Sequence, residues 1–216
     1  MKTPLLYKVY RALRRGWNSM TPEARQAVKT FVASQKTAHG YMNAGGHEDG
    51  YYKQFGELLE TVFKPGRLLY KRMNLTVQES RLKDTAYGRF FDFLAGTPQP
   101  SMANHQLSKL TTNAVCCILT MQHQMDEPLE SKFVEWLQQR QDASGGFFAN
   151  DQAPIPDMLS TAVALFTLRL IGMEVQEAMP FIQAHWLDNG GFAPTLYDDY
   201  SDVEYVFYGL LALGSK

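Results

Sequence analysis

Residues 145–172 read GGFFANDQAPIPDMLSTAVALFTLRLIG, and residues 190–214 read GGFAPTLYDDYSDVEYVFYGLLALG. In both stretches a glycine pair and a phenylalanine lead through a polar loop to an aspartate, and the aspartate opens an apolar run. At an offset of 45 residues the two keep step without a gap from Trp136 to Leu168. Trp136-Leu137 falls on Phe181-Ile182, Gly145-Gly146-Phe147 on Gly190-Gly191-Phe192, Asp157 on Asp202, Leu165 on Leu210 and Leu168 on Leu213. Self-similarity at such a period is the mark of a repeat architecture, in which one supersecondary unit is stacked on the next.

Each unit carries two helical patterns. In PLESKFVEWLQQRQ (128–141), Leu129, Phe133, Trp136, Leu137 and Arg140 share a stripe, with Glu130, Lys132, Glu135 and Gln138 elsewhere, as in a half-exposed amphipathic helix. DMLSTAVALFTLRLIG (157–172) is apolar or small nearly all round, as in a helix buried on most sides. Gly172 and Gly214 close their runs where C-terminal caps are expected.

Fainter copies lie upstream. AVKTFVASQKTAHGYMN (27–43) resembles the outer helix and its turn, with Phe31 set on Leu137 and Gln35 on Gln141; DGYYKQFGELLETVF (49–63) follows as its inner helix. KLTTNAVCCILTM (109–121) aligns with MLSTAVALFTL when Leu110 is set on Leu159, which puts Ser108 at the aspartate position. Its outer partner is expected within 76–94, and the Pro/Gly-rich AGTPQPSMANHQ (95–106) reads as a loop. No segment sustains strand alternation. The expectation is an all-α fold: one domain over 1–216, a partial α/α toroid of about four helical hairpins with inner and outer helices. The repeats are clearest over 127–214, and an amphipathic helix occupies 1–18. With so few hairpins, two outcomes are expected: an open arc, or a ring completed by a second copy or a partner chain.

Composition narrows the function classes. Lys and Arg number 21 against 22 for Asp and Glu, a net charge of −1 that gives no general affinity for nucleic acid. Cys116 and Cys117 are adjacent inside an apolar run, without metal-ligand spacing, and read as core thiols of a reducing compartment. The N-terminus lacks the pattern of a secretory signal, so a cytoplasmic location is expected.

WLQQRQDASGGF (136–147) resembles the repeat of squalene and terpene cyclases, with Trp136, Leu137, Gln141, Gly145 and Phe147 on the matching positions. The units ending in Leu168 and Gly214 also look like the repeats of protein prenyltransferase β subunits. Both groups are α/α toroids, and the resemblance is strong over 127–214 and patchy before it. It implies the fold more firmly than the activity. Gln141 is expected to bond the loose carbonyls of the outer helix, Phe147 to pack on the neighbouring hairpin, and both Gly145 and Gly146 to supply conformations closed to other residues.

The resemblance also implies where chemistry would sit. Protein prenyltransferases hold zinc through an Asp, a Cys two residues on and a His of the next repeat. Here Leu159 and Glu204 stand two residues after the aspartates, and Ser160 and Tyr205 three after, so no metal site is expected; His39, His47 and His105 form no metal spacing either. Cyclases of the squalene type protonate an alkene with an Asp of a D-x-D-D cluster. The nearest feature is YDDYSDVE (197–204), with Asp198, Asp199, Asp202 and Glu204, which departs from that string. Its DDYSD fits the D-D-x-x-D string of an unrelated synthase class, and Mg2+ would enter only with a diphosphate substrate.

Two readings of these acids stand together. Asp157 and Asp202 sit where a helix N-cap is wanted, and a capping carboxylate can still face a cavity. The candidate catalytic set is Asp202, Asp199, Asp198 and Glu204. The candidate substrate contacts are Asp157, Tyr197, Tyr205, Tyr208 and Tyr41, with Tyr51, Tyr52 and Tyr200 among the nearby aromatics. Aromatic faces stabilise carbocations, and they also simply fill cores. In LLYKVYRALRRGW (5–17), Leu5, Leu6, Val9, Leu13 and Trp17 share a face; it either packs on the scaffold or lies on an anionic membrane. The cations of KPGRLLYKRMN (64–74), Lys64, Arg67, Lys71 and Arg72, either meet a diphosphate or face solvent. The C-G-E-Q string of complement-like thioester domains is absent, as are the motifs of lanthionine cyclases. Two functions follow: an isoprenoid- or lipid-handling protein, enzyme or not, working without zinc; or a non-catalytic scaffold that binds a protein through its concave face.

Overall fold

The computed structural model describes residues 5–48, 50–64 and 110–216. Among these residues the fold is helical, apart from one pair of two-residue strands. α1 spans Leu5–Ser19, α2 Pro22–Ser34, α3 Gly50–Phe63, α4 Thr112–Met125, α5 Ser131–Gln138, α6 Met158–Leu170, α7 Met179–Ala184 and α8 Val203–Leu213. β1 (Phe147–Phe148) pairs antiparallel with β2 (Pro156–Asp157), Phe147 opposite Asp157. The expected outer partner of α4 within 76–94, the loop at 95–106, Ser108, His105, Arg67, Lys71 and Arg72 lie outside the described residues.

Two layers form, as the hydropathy patterns require. α6 is buried from Ser160 to Leu168, and α8 is buried over most of its length. α5 buries only Phe133, Val134, Trp136 and Leu137, and α2 only Val28, Phe31 and Val32. The inner helices follow one another in the spatial order α4, α6, α8, α3. α3, early in the chain, packs on α8, the last helix, and α2 also rests on α8. The N-terminal hairpin (α2/α3) therefore stands next after the C-terminal hairpin (α7/α8).

The joints between hairpins repeat. The amide of Thr112 donates to the Ala149 carbonyl at 2.8 Å and that of Met158 to the Pro194 carbonyl at 2.9 Å, each tying an inner-helix start to the next unit's loop. At the joint between last and first units, Ala44 N–H donates to the Asp202 carboxylate at 3.2 Å. Gly145 has φ +89° and lies so close to Glu177 that a Cβ would stand 2.2 Å from its carbonyl oxygen; Gly190, φ +92°, bears on the Ala27 backbone in the same way. Both glycines need the left-handed conformation as well as the space. Gly146 and Gly191 do not have positive φ. They are required by contact instead, a Cβ meeting the Phe181 ring and the Ser201 side chain at 2.4 Å.

Several sequence expectations are corrected. In the N-terminal turn, Lys36 bridges to Tyr41 as Gln141 does to Phe147 and Trp186 to Phe192, so Gln35 falls on Arg140, one place from the expected match to Gln141. The cause is a turn one residue shorter. α4 is capped by Thr111, whose hydroxyl accepts from Ala114 N–H at 3.3 Å. Thr111 thus replaces the aspartate, three residues beyond the expected Ser108. The side chain of Gln141 does not bond the end of its own helix. Its amide nitrogen donates to the carbonyls of Gly145 and Gln176, and its oxygen accepts from Gln176 N–H, clamping the glycine turn to the next hairpin.

α1 buries Leu5, Val9, Leu13 and Trp17 against α8 and α3, so its apolar stripe serves packing. Gly16 and Gly214 make the crossing close: a Cβ on Gly16 would stand 2.1 Å from the Leu210 oxygen, and one on Gly214 1.8 Å from the Ala12 oxygen. Gly172 ends α6 in the left-handed conformation (φ +79°), but Gly214 stays right-handed (φ −89°). The second terminal glycine is there for helix contact and not for a left-handed cap.

Candidate functional site

The N-terminal ends of α3 and α8 bring together four of the nine candidate residues, Asp202, Glu204, Tyr205 and Tyr208, with Tyr51 beside them. Asp202 caps α8, one carboxylate oxygen accepting from Glu204 N–H (3.0 Å) and Tyr205 N–H (3.2 Å) while the other takes Ala44 N–H. It is 2% exposed, and burial raises its carboxyl above the ordinary range against the pull of those three donors. Asp157 caps α6 through Ser160 N–H at 2.7 Å, and burial again raises its carboxyl. Both aspartates satisfy free helix-end donors.

Glu204 is different. It is a buried carboxylate on the first turn of α8, and its charge acts on four tyrosines. Tyr208 is pushed well above its usual value by burial first and then by Glu204. Tyr51, on α3, is raised by burial, by Tyr208 and by Glu204. Tyr205 is raised by burial and then by Glu204, Tyr200, Asp202 and Asp157. A phenol held far above its normal range stays protonated and remains a hydrogen-bond donor. Tyr51 meets Phe55 edge-on at 4.6 Å, Phe55 lies 4.8 Å from Phe207, and Phe207 meets Tyr208 edge-on at 5.2 Å. Cys117 of α4 also acts on Tyr208, so a third inner helix faces the same cluster.

The other candidates lie apart. Asp198 binds the amide and hydroxyl of Thr195 at 3.0 and 2.6 Å, shaping the loop before α8. Asp199 and Tyr197 are exposed, Tyr197 by 84%. Tyr41 sits in the N-terminal hairpin, its ring filling the space over Gly56 and its hydroxyl donating to Glu60 at 2.6 Å, with Lys36 on the same carboxylate. Burial and Glu60 raise its pKa. Cys116 is fully buried, its thiol pushed up to about 12 by that burial.

Sequence reasoning gave little weight to Tyr51 and none to Phe55. Tyr51 and Glu204 both occupy a first helical turn, which would have suggested the pairing only had the first and last hairpins been placed side by side. Among the described residues no group of three or more His, Cys, Asp or Glu is placed to hold a metal ion, and no helix is long and apolar enough to cross a membrane.

A double layer of inner and outer helices, repeating one hairpin joint, is the architecture the matching family model describes: residues 8–214 match the prenyltransferase alpha-alpha toroid domain. The chain belongs to the prenyltransferase alpha-alpha toroid family. No curated protein and no solved structure matches the chain at a significant level. In this toroid, the cluster around Glu204 is built from inner helices of the first and last hairpins, and it depends on the joint between them.

Proposed function

We propose that this toroid protein binds an isoprenoid or a similar lipid at the tyrosine-rich N-terminal end of its inner helices, without zinc. The observation that carries the reading is the convergence of Glu204 with Tyr51, Tyr205 and Tyr208 in a buried cluster continued by Phe55 and Phe207. Aromatic faces suit a greasy chain and attract positive charge, and protonated phenols beside a carboxylate suit one polar end. If the ligand is converted, Glu204 is the acid we assign to the chemistry, in preference to Asp202, whose two oxygens already hold three backbone N–H groups. Asp198 and Asp199 would contribute only with a diphosphate and Mg2+.

The test is titration of the purified protein with prenyl diphosphates and with squalene, with and without Mg2+, followed by binding and product analysis. Binding that Glu204→Gln weakens at least tenfold while Asp202→Asn leaves it intact is the expected result. Absence of binding to all of these ligands overturns the reading. It would favour the second one, a scaffold for a protein partner, which is supported by the use of Asp157 and Asp202 as helix caps.

A further inference from the structure

The glycine turn of the C-terminal hairpin carries the one Asn-Gly pair in the chain, Asn189-Gly190. The middle hairpin builds the same turn with Ser144-Gly145. In both, the first glycine's N–H donates to the carbonyl three residues back, Gly145 to Asp142 at 3.0 Å and Gly190 to Leu187 at 2.9 Å. In both, the side chain before it accepts from the second glycine: Ser144 Oγ from Gly146 N–H at 3.4 Å, Asn189 Oδ1 from Gly191 N–H at 2.8 Å. The turn therefore does not require an asparagine, since a serine oxygen serves it as well. What Asn189 adds is a carboxamide carbon beside the backbone nitrogen of a glycine.

That pairing is reactive. Attack of the following backbone nitrogen on the side-chain carbonyl is intramolecular, so the reacting atoms are already neighbours. Gly190 has no Cβ to obstruct the approach, and Asn189 is exposed to water. The Gly191 N–H on Oδ1 is placed to stabilise the negative charge that this oxygen gains as the carbon is attacked. Asn150 supplies the comparison. Its Oδ1 accepts from Gln152 N–H at 2.9 Å, again two residues on, but the nitrogen beside it belongs to Asp151, whose side chain is tied to Arg140. Asn189 also stands at a sensitive place. Gly190 is pressed so closely on α2 that a Cβ would stand 2.4 Å from the Ala27 carbonyl carbon, and the same seam holds the Asp202–Ala44 bond.

We propose that Asn189 is a site of spontaneous covalent modification, closing on Gly190 to a succinimide whose isoaspartyl product loosens the seam between the last and first hairpins. Hydroxide takes the proton of the Gly190 amide, and the nitrogen forms a bond to Cγ of Asn189. The Cγ–Nδ2 bond then breaks, and Nδ2 leaves as ammonia with a proton from water, which restores the hydroxide. Water opens the cyclic imide at the side-chain carbonyl to give aspartate, or at the backbone carbonyl to give isoaspartate, whose main chain is one carbon longer. No room exists for that carbon at the Gly190–Ala27 contact, so α2 must move off the turn. The bond from Gly190 N–H to Leu187 protects the nitrogen, and the reaction draws on local openings of the turn. The modification needs no ligand, so its outcome is independent of the isoprenoid reading.

The purified full chain, aged in mildly alkaline buffer and peptide-mapped with isoaspartate resolved from aspartate and asparagine, tests the proposal. Asn189 should convert at least tenfold faster than Asn150 and Asn43 in the same sample, at a rate that rises with hydroxide concentration. Aged wild type should melt at a lower temperature than fresh protein and exchange its Ala44 amide faster. Asn189→Ser, which places the middle hairpin's residue in the turn, should match fresh wild type in both measurements and keep both with age. Asn189→Asp should also stay near fresh wild type, which assigns the loss to the longer backbone and not to the added charge. Conversion at Asn189 no faster than at Asn150 overturns the proposal. Isoaspartate formation that leaves melting and Ala44 exchange unchanged overturns it too, as does an equal loss in Asn189→Asp.

Discussion

The middle hairpin (α5/α6) and the C-terminal hairpin (α7/α8) share one sequence grammar and use it differently. Asp157 caps its own helix and Asp202 caps its own helix, but Asp202 also grips Ala44 of the first hairpin. Gly172 turns left-handed into open space, whereas Gly214 stays right-handed and presses on α1. Phe147 N–H finds Thr161 within the following helix, while Phe192 N–H finds Ser201 just before the cap. The middle unit has neighbours made in its own image. The last unit must meet the first unit and α1, and its deviations at Asp202 and Gly214 fall at those contacts. A repeat thus keeps its capping aspartate and glycine turn while it alters the residues at the seam and one of its internal bonds.

The largest effect that could break this comparison is at the terminal glycines. Gly214→Ala or Gly16→Ala drives a methyl into the backbone of the opposing helix and should cost about 3 kcal/mol. Gly172→Ala meets nothing and bears only the left-handed penalty, about 1 kcal/mol. Denaturant unfolding of the three variants measures the difference. Equal losses would mean that the α1 crossing is not tight.

The aspartates come next. Asp157→Ala should lose about 1 kcal/mol, the ordinary worth of a cap. Asp202→Ala should lose about 2 kcal/mol, because the Ala44 bond goes with it. Hydrogen exchange sharpens the point: the Ala44 amide should exchange faster in Asp202→Ala and remain as in the wild type in Asp157→Ala. Gln141→Ala should cost about 1 kcal/mol through loss of its clamp on Gln176, an interaction the last hairpin lacks because Trp186 stands at that position.

The smallest effect is in pH dependence, where the two copies should agree. Burial raises both carboxyls in the folded state, so each contributes stability that is complete below the unfolded value, about 3.9, and is lost as pH climbs through the raised one. Compared with Asp157→Asn or Asp202→Asn, which keep a capping oxygen, the wild type should lose relative stability as pH rises through that window. A gain over the same window in either pair would show that the cap bonds outweigh burial.

Much of the fold was legible in residues 128–214, because helix periodicity, glycine placement and a capping aspartate recur there at one spacing. The helical assignment of α1 and the division into inner and outer helices followed from which faces were apolar. Misreadings arose where the repeat was faint. A turn shortened by one residue moved Gln35, and a threonine cap stood where an acid was sought. Of the site, Glu204, Tyr205 and Tyr208 could be named from the acidic and aromatic run around Asp202. Tyr51 and Phe55 could not be joined to them, since some 150 residues of chain separate the two halves of the cluster.

By itself the sequence determined the hairpin, since periodicity and capping are local and need only neighbouring residues. The tertiary structure decided which ends meet. Placing α2 and α3 after α8 converts one of four acids into a buried partner of tyrosines and another into a tie across the seam. Those outcomes depend on burial and on charges distant in the chain, and neither is set until the last hairpin has closed on the first.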